Sequence, residues 1–454
     1  MDISKLENFV LEKISRTRLP SLVILLVEDG ETRYSKAFGF RDYENALPAD
    51  IDTVYGIGSI TKSFTAFSIM SLVEEGRISL EDPVNRYVPI DLRPKGEIIR
   101  IWHLLSHTSG IPALAYAEAY IRSAVGEEIG SWLPIAGYDN MISFLRGSDE
   151  WAVARPGERY FYLNEGYVLL GMIVEKVSGM KYEDYVRKRI LEPLGMRRTY
   201  FYKEEVERDP NVAVPYVIDR DGRLRRSVFP YGVTSDGGLL SNARDLSRYI
   251  TMLINRGRYE DREIISRRSI EEMEKIRIET PGGYFRGEGY GFGLRITEDF
   301  FGRKLVGHGG SVLVYTAYIG YIESERLGVV VLANASGYSP SFIGLYALAL
   351  ALGRDPEREL PFVRYERILE KLEGDYETFR STMRVRIERR DSLLYMVSRG
   401  RYITWDLPLI PERFEDREYI FYTPSLGARI PVIFSERNGV IEMIYERYKF
   451  VKKR

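Results

Sequence analysis

Residues 55–76 read YGIGSITKSFTAFSIMSLVEEG, in which Phe64, Ala66, Phe67, Ile69, Met70, Leu72 and Val73 are separated only by Thr65, Ser68 and Ser71. No face carries a charge before Glu74, which is the pattern of a helix buried on all sides. Gly76 suits a left-handed stop, so the stretch predicts one helix with Ser59 in its first turn. Ahead of it, residues 21–40 form two strand-like runs around Asp29-Gly30, a hairpin pattern. Short helical patterns follow at 101–110, 167–177, 182–190, within 236–257 and at 265–277, with loops between them. From Gly289 the period changes to that of strands, in YGFGLRI, KLVGHGG, VYTAYIGYI and LGVVVLAN, with a last helix near 341–353. Strands at both ends and helices between predict one antiparallel sheet, joined by the chain's first and last strands and covered by helices. This is an α/β arrangement in space without double winding.

Beyond residue 361 the pattern is one of short alternating strands and tight turns, Arg390-Asp391 and Asn438-Gly439 among them. Such a run suits a small antiparallel barrel or sandwich, and a closed up-and-down, lipocalin-like barrel leaves no strand edge exposed. We therefore expect two domains, 1–360 and 361–454. The second carries no catalytic pattern and is expected to act as lid, substrate filter or oligomer contact.

Composition narrows the function classes. The chain of 454 residues has a formal net charge of −1 and no basic stripe, which argues against a nucleic-acid partner. It has no cysteine, hence no disulfide, thiolate metal site or cysteine nucleophile. It also has no glutamine and 29% charged residues, a thermophile-like bias. The N-terminal segment is charged throughout and reads as an amphipathic helix, not a signal peptide, and no apolar run is long enough to span a bilayer. The expectation is a soluble cytoplasmic protein without membrane contact.

The chemistry begins with Ser59 and Lys62, three residues apart and so on one face of a helix. A serine hydroxyl is a poor nucleophile at neutral pH, and an adjacent lysine held in a desolvated pocket can serve as its base. Alone, Ser-x-x-Lys also suits a capping serine beside a snorkelling lysine. His103 and His107 have metal-ligand spacing on the helix expected at 101–110, but Leu104 stands where a metalloprotease has its glutamate and no third ligand is evident. They are read as structural histidines, and no metal or cofactor is expected.

GSITKSF, Tyr162-Leu163-Asn164 and Gly307-His308-Gly309-Gly310 resemble the three motifs of the serine β-lactamase and penicillin-binding protein superfamily. LLSHTSGIP, GYVLLGMIVEKVSG, LEPLGM and GGLLSNARDL add to the likeness, which runs in order from about residue 22 to 336. The nearer branch is class C-like, or CubicO-type, with D-alanyl-D-alanine carboxypeptidases, D-aminopeptidases and certain esterases. The overall layout resembles that of archaeal CubicO-type serine peptidases. The resemblance implies a β-lactamase/transpeptidase-like fold in which Ser59 forms an acyl-enzyme and Lys62 and Tyr162 share the base and acid work. It further implies that Asn164 holds Lys62 and the substrate amide, and that His308, Gly309 and Gly310 lie along the substrate. The backbone N–H groups of Ser59 and Ser311 would form the oxyanion hole. His308-Gly309-Gly310 replaces the usual Lys-Thr-Gly, so the cation that meets a substrate carboxylate is absent from that strand. No Ser-Asp-Asn element and no separate deacylating glutamate are seen, which argues against β-lactamase as the main activity. The expected function is a serine peptidase acting on small peptide or acyl substrates, D-amino-acid-containing peptides among them, as a homo-oligomer. The alternatives are a carboxylesterase or weak β-lactamase, or a catalytically silent penicillin- or peptide-binding protein.

Overall fold

The computed structural model describes residues 1–127, 137–232, 234–402 and 404–453. The chain divides into two compact units, Met1–Gly353 and Arg354–Arg454.

The first unit is built on a nine-stranded antiparallel sheet. In spatial order its strands are Ile278–Glu279, Arg286–Tyr290, Arg295–Asp299, Leu305–Ser311, Thr316–Ile322, Leu327–Ala333, Ser21–Glu28, Glu31–Asp42 and Leu47–Pro48. The chain's first strand pairs with its last in this sheet, Leu22 opposite Ala333 and Glu28 opposite Leu327, and the join lies inside the sheet. Helix Ala243–Ile254 covers one face and helix Pro340–Ala351 the other: Gly328 abuts Ile250, whereas its neighbour Val329 abuts Gly344. Burial on both faces explains why SLVILLV and LGVVVLA are unbroken apolar runs and not alternating ones. The hairpin between the first two strands turns at Asp29 and Gly30, both with positive φ (53° and 85°), the conformation a type I′ turn requires.

Two helices differ from the sequence reading. Over residues 55–76, Tyr55–Gly56 pairs as a strand with Leu240–Ser241, Gly58 takes a φ of 51°, and Gly58–Ile60 makes a 3-10 turn before the α-helix Thr61–Glu74. The left-handed glycine interrupts helical geometry, so Ser59 stands in the turn that leads into the helix. The helix itself is buried from Thr61 to Leu72. Its hydroxyls tolerate that burial because Ser63, Ser68 and Ser71 donate to the carbonyls of Ile60, Phe64 and Phe67, and Thr65 donates to that of Ser235. The second difference is at 101–110, where the helix ends at Leu105 and His107 lies beyond it with a φ of 57°. His103 and His107 therefore do not share a helix face, and the metal-ligand spacing has no geometric counterpart.

The second unit is an eight-stranded closed barrel in which every strand neighbours the next, from Gly374–Glu377 to Tyr448–Lys452. The last returns to pair with the first, Tyr376 opposite Lys452. The closed up-and-down form expected from the patterning is present, with Phe421, Phe434, Met443 and Phe450 fully buried inside. Helix Pro361–Leu372 contributes Leu369 and Leu372 to the same core. Among the described residues no helix is long and apolar enough to cross a membrane.

The central strand Ser21–Glu28 gives a direct test. Leu25→Ala removes a fully buried side chain and should lower stability by about 2–5 kcal/mol. Urea denaturation should show a lower midpoint at an unchanged slope.

Candidate active site

Lys62 has no exposed surface. A buried ammonium is stable only if its three donors find partners, and here all three do: Nζ lies 3.2 Å from Ser59 Oγ, 2.8 Å from Asn164 Oδ1 and 2.6 Å from the Asp236 carbonyl oxygen. Asn164 is the first residue of helix Asn164–Ser178, and Asp236 comes from the irregular stretch ahead of Leu240–Ser241. Three distant segments thus meet at one amine. The Asp236 carboxyl is buried beside it and accepts from the Tyr116 hydroxyl at 2.7 Å. Burial raises its pKa, and the charge of Lys62 opposes that rise.

The Tyr162 ring lies with its centroid 5.0 Å from Lys62 Nζ. No hydrogen bond joins its hydroxyl to Ser59 or Lys62 among the described residues, and such contacts commonly tighten only around a bound substrate. Tyr160, two residues away, receives a hydrogen bond at 3.5 Å from Arg295 and not from the lysine.

The strand Leu305–Ser311 presses against the turn that bears Ser59. A Cβ on Gly310 would run into the Ile57 carbonyl oxygen, and one on Gly58 would stand 2.7 Å from the Ser311 nitrogen. Both glycines are required by this approach. Pairing with the neighbouring strand Arg295–Asp299 stops at Gly307, while Gly307 to Ser311 continue to pair with Thr316–Ile322 on the other side. From His308 onward one backbone edge is therefore open to an extended ligand.

His308 is buried but lines a cavity together with Ser59 and Tyr162. Its Nδ1 lies 2.6 Å from the Gly309 carbonyl oxygen, which fixes Nε2 as the acceptor of the Tyr290 hydroxyl at 2.9 Å. Burial first, and then the Arg295 charge, press its pKa down to about 3, so the ring is neutral. It cannot replace the lysine of Lys-Thr-Gly as a cation. The sequence reading left that position without a positive charge. Arg295, directly opposite Gly307 on the adjacent strand, brings a permanent cation to the lining of that cavity. Only strand register reveals it, because in the sequence Arg295 is one arginine among many.

Two cavities share Ser59, Tyr162 and Ser311. One, of about 640 Å³, is bounded by Arg295, Phe285 and Phe342, and the other, of about 300 Å³, by Glu118, Ile121 and Asn164. The serine stands between them.

A helix-flanked antiparallel sheet, with Ser59 and Lys62 at the head of a buried helix and a glycine-rich strand beside them, defines a β-lactamase/transpeptidase-like fold. The chain belongs to the beta-lactamase family, whose model matches residues 6–353. Residues 356–451 match a second model, the Pab87 octamerisation domain. Among solved structures, that of the octameric penicillin-binding protein homologue from Pyrococcus abyssi is 51% identical with a TM-score of 0.95, each chain covered completely. Penicillin-binding protein 4* of Bacillus subtilis is 30% identical over 68% of this chain and 67% of its own. Protein flp of Staphylococcus aureus is 26% identical over 75% of this chain, which spans 64% of that relative's length.

The close approach of strand and turn can be tested at Gly310. Gly310→Ala should force the strand away from Ser59, and a displacement of about 1 Å can cost on the order of a hundredfold in rate. Fluorophosphonate labelling read by intact mass should slow by that order in a protein that remains folded by circular dichroism.

Proposed function

We propose that this protein is a serine hydrolase that works through an acyl-enzyme on Ser59, with peptides as its substrate class. The observation that carries this reading is the fully buried Lys62 amine within hydrogen-bond reach of Ser59 Oγ. In its neutral form this amine accepts the serine proton during attack, and Tyr162, beside it, shares the transfer to the leaving group and the later activation of water. Asn164 keeps Lys62 aimed. The backbone N–H groups of Ser59 and Ser311 stabilise the oxyanion.

Three features favour peptides. The open backbone edge from His308 onward suits an extended chain, His308, Gly309 and Gly310 line its path, and cavities on both sides of Ser59 give room for acyl and leaving groups. A silent binding protein has no use for a buried lysine whose desolvation must be offset at three points. We further propose that the chain assembles as a homo-oligomer through its second unit, of which residues 356–451 match an octamerisation domain.

Substitution tests the roles. Ser59→Ala should give no covalent adduct. Lys62→Arg keeps the charge but removes the neutral base, and Tyr162→Phe keeps the ring, so each should slow acylation or deacylation by about 10²–10⁴-fold without unfolding. Near-normal turnover in either variant removes that residue from the mechanism. For assembly, ending the chain after Gly353 should yield a soluble monomer by light scattering that still hydrolyses a small p-nitrophenyl ester. An unchanged assembly mass excludes the barrel as the contact.

A further inference from the structure

The motif residues 106–110, Ser-His-Thr-Ser-Gly, have no part in the reaction described, yet the segment bearing Tyr162 hangs from them. Val153 donates to the carbonyl of Gly110 at 3.1 Å and Gly157 to that of Thr108 at 2.7 Å. At His107 the attachment is double. The Phe161 N–H donates to the His107 carbonyl at 2.8 Å, and the Leu163 N–H donates to the His107 ring nitrogen Nδ1 at 3.0 Å. These two donors are the residues immediately before and after Tyr162.

The ring also lies against Tyr162 itself, centroids 4.2 Å apart, with Tyr290 at 4.8 Å and Tyr167 at 5.0 Å around it. His107 is 1% exposed and holds a left-handed φ of 57°, a conformation uncommon outside glycine but better tolerated by His, Asn and Asp. Its Nε2 is buried without a hydrogen-bond partner among the described residues. A buried imidazole with one nitrogen unpaired and its backbone in a strained region is held by what its other groups do.

We infer that His107 is the positioning residue for Tyr162: one side chain and its own carbonyl grip the backbone on both sides of the tyrosine, and the ring packs against the phenol at a tilt of 35°. Because Nδ1 accepts from a backbone N–H, the ring proton belongs on Nε2, and protonating Nδ1 would break the grip. Burial and the nearby charge of Lys62 hold the ring well below its ordinary pKa, so the grip persists across the neutral range.

The inference rests on the proposed role of Tyr162, and the test separates the two. Asn places an oxygen where Nδ1 stands and accepts the left-handed backbone, whereas Gln, closer to His in volume, places it where Nε2 stands. His107→Asn should keep kcat within about tenfold of wild type, and His107→Gln should lose about a hundredfold in kcat with KM within about threefold. A residue that only fills space predicts the opposite order. Equal kcat values, a better Gln variant, or a hundredfold loss in a folded Asn variant would each overturn the inference. Solid-state ¹⁵N NMR of wild-type protein labelled at its three histidines reads the grip without turnover or any variant. His107 Nδ1 should appear unprotonated, and a protonated Nδ1 overturns the inference even if Tyr162 acts as proposed. Normal turnover of Tyr162→Phe with an unprotonated His107 Nδ1 would instead overturn the reading of the reaction and leave the grip standing.

Discussion

Burying one lysine amine constrains much of the first unit. The interior cannot accept Lys62 without three acceptors, and the three it has belong to a 3-10 turn, the start of a distant helix and an irregular strand approach. Each of those segments is fixed in turn. Gly58 and Gly310 let strand and turn meet, and residues 106–110 carry the loop ahead of Asn164. A lysine that cost less to bury would leave these segments free to drift, by fractions of an ångström that the proposed reaction does not tolerate.

The Tyr162 ring stands among His107, Tyr290 and His308, with the Lys62 amine 5.0 Å from its centroid. His107 and His308 both sit within the field of Lys62 and Arg295, which together with burial keeps the rings neutral. Neither imidazole adds a positive charge beside the serine, and Arg295 lines the larger of the two cavities. The imidazoles shape the site through their hydrogen bonds and their surfaces.

Much of this was legible in the sequence, for definite reasons. The unbroken apolar character of residues 64–73 requires burial whatever the fold, and Ser59 with Lys62 is a local spacing. The barrel announced itself through alternation and through Asn438-Gly439, whose φ values are both positive as a tight hairpin turn demands. The start of the Ser59 helix is not legible locally, because glycine is compatible with both a helix and a left-handed break, and only pairing with Leu240–Ser241 decides between them. Local spacing likewise suits His107 to a helix, while its partners stand at 161 and 163. Arg295 is not legible from the sequence because its place depends on register with Gly307, and register is a property of two strands.

The sheet's inner join has a consequence for how the protein is made. Ser21–Glu28 is apolar on both faces and lies between two neighbours, one of which, Leu327–Ala333, leaves the ribosome roughly three hundred residues later. At about 5–20 residues per second the nascent hairpin waits roughly fifteen to sixty seconds with one adhesive edge unpaired. The barrel pairs each strand with the next and can close soon after its own synthesis. Within one polypeptide the region translated first is thus the slower to complete, and its hazard during translation is strand-to-strand aggregation between neighbouring nascent chains.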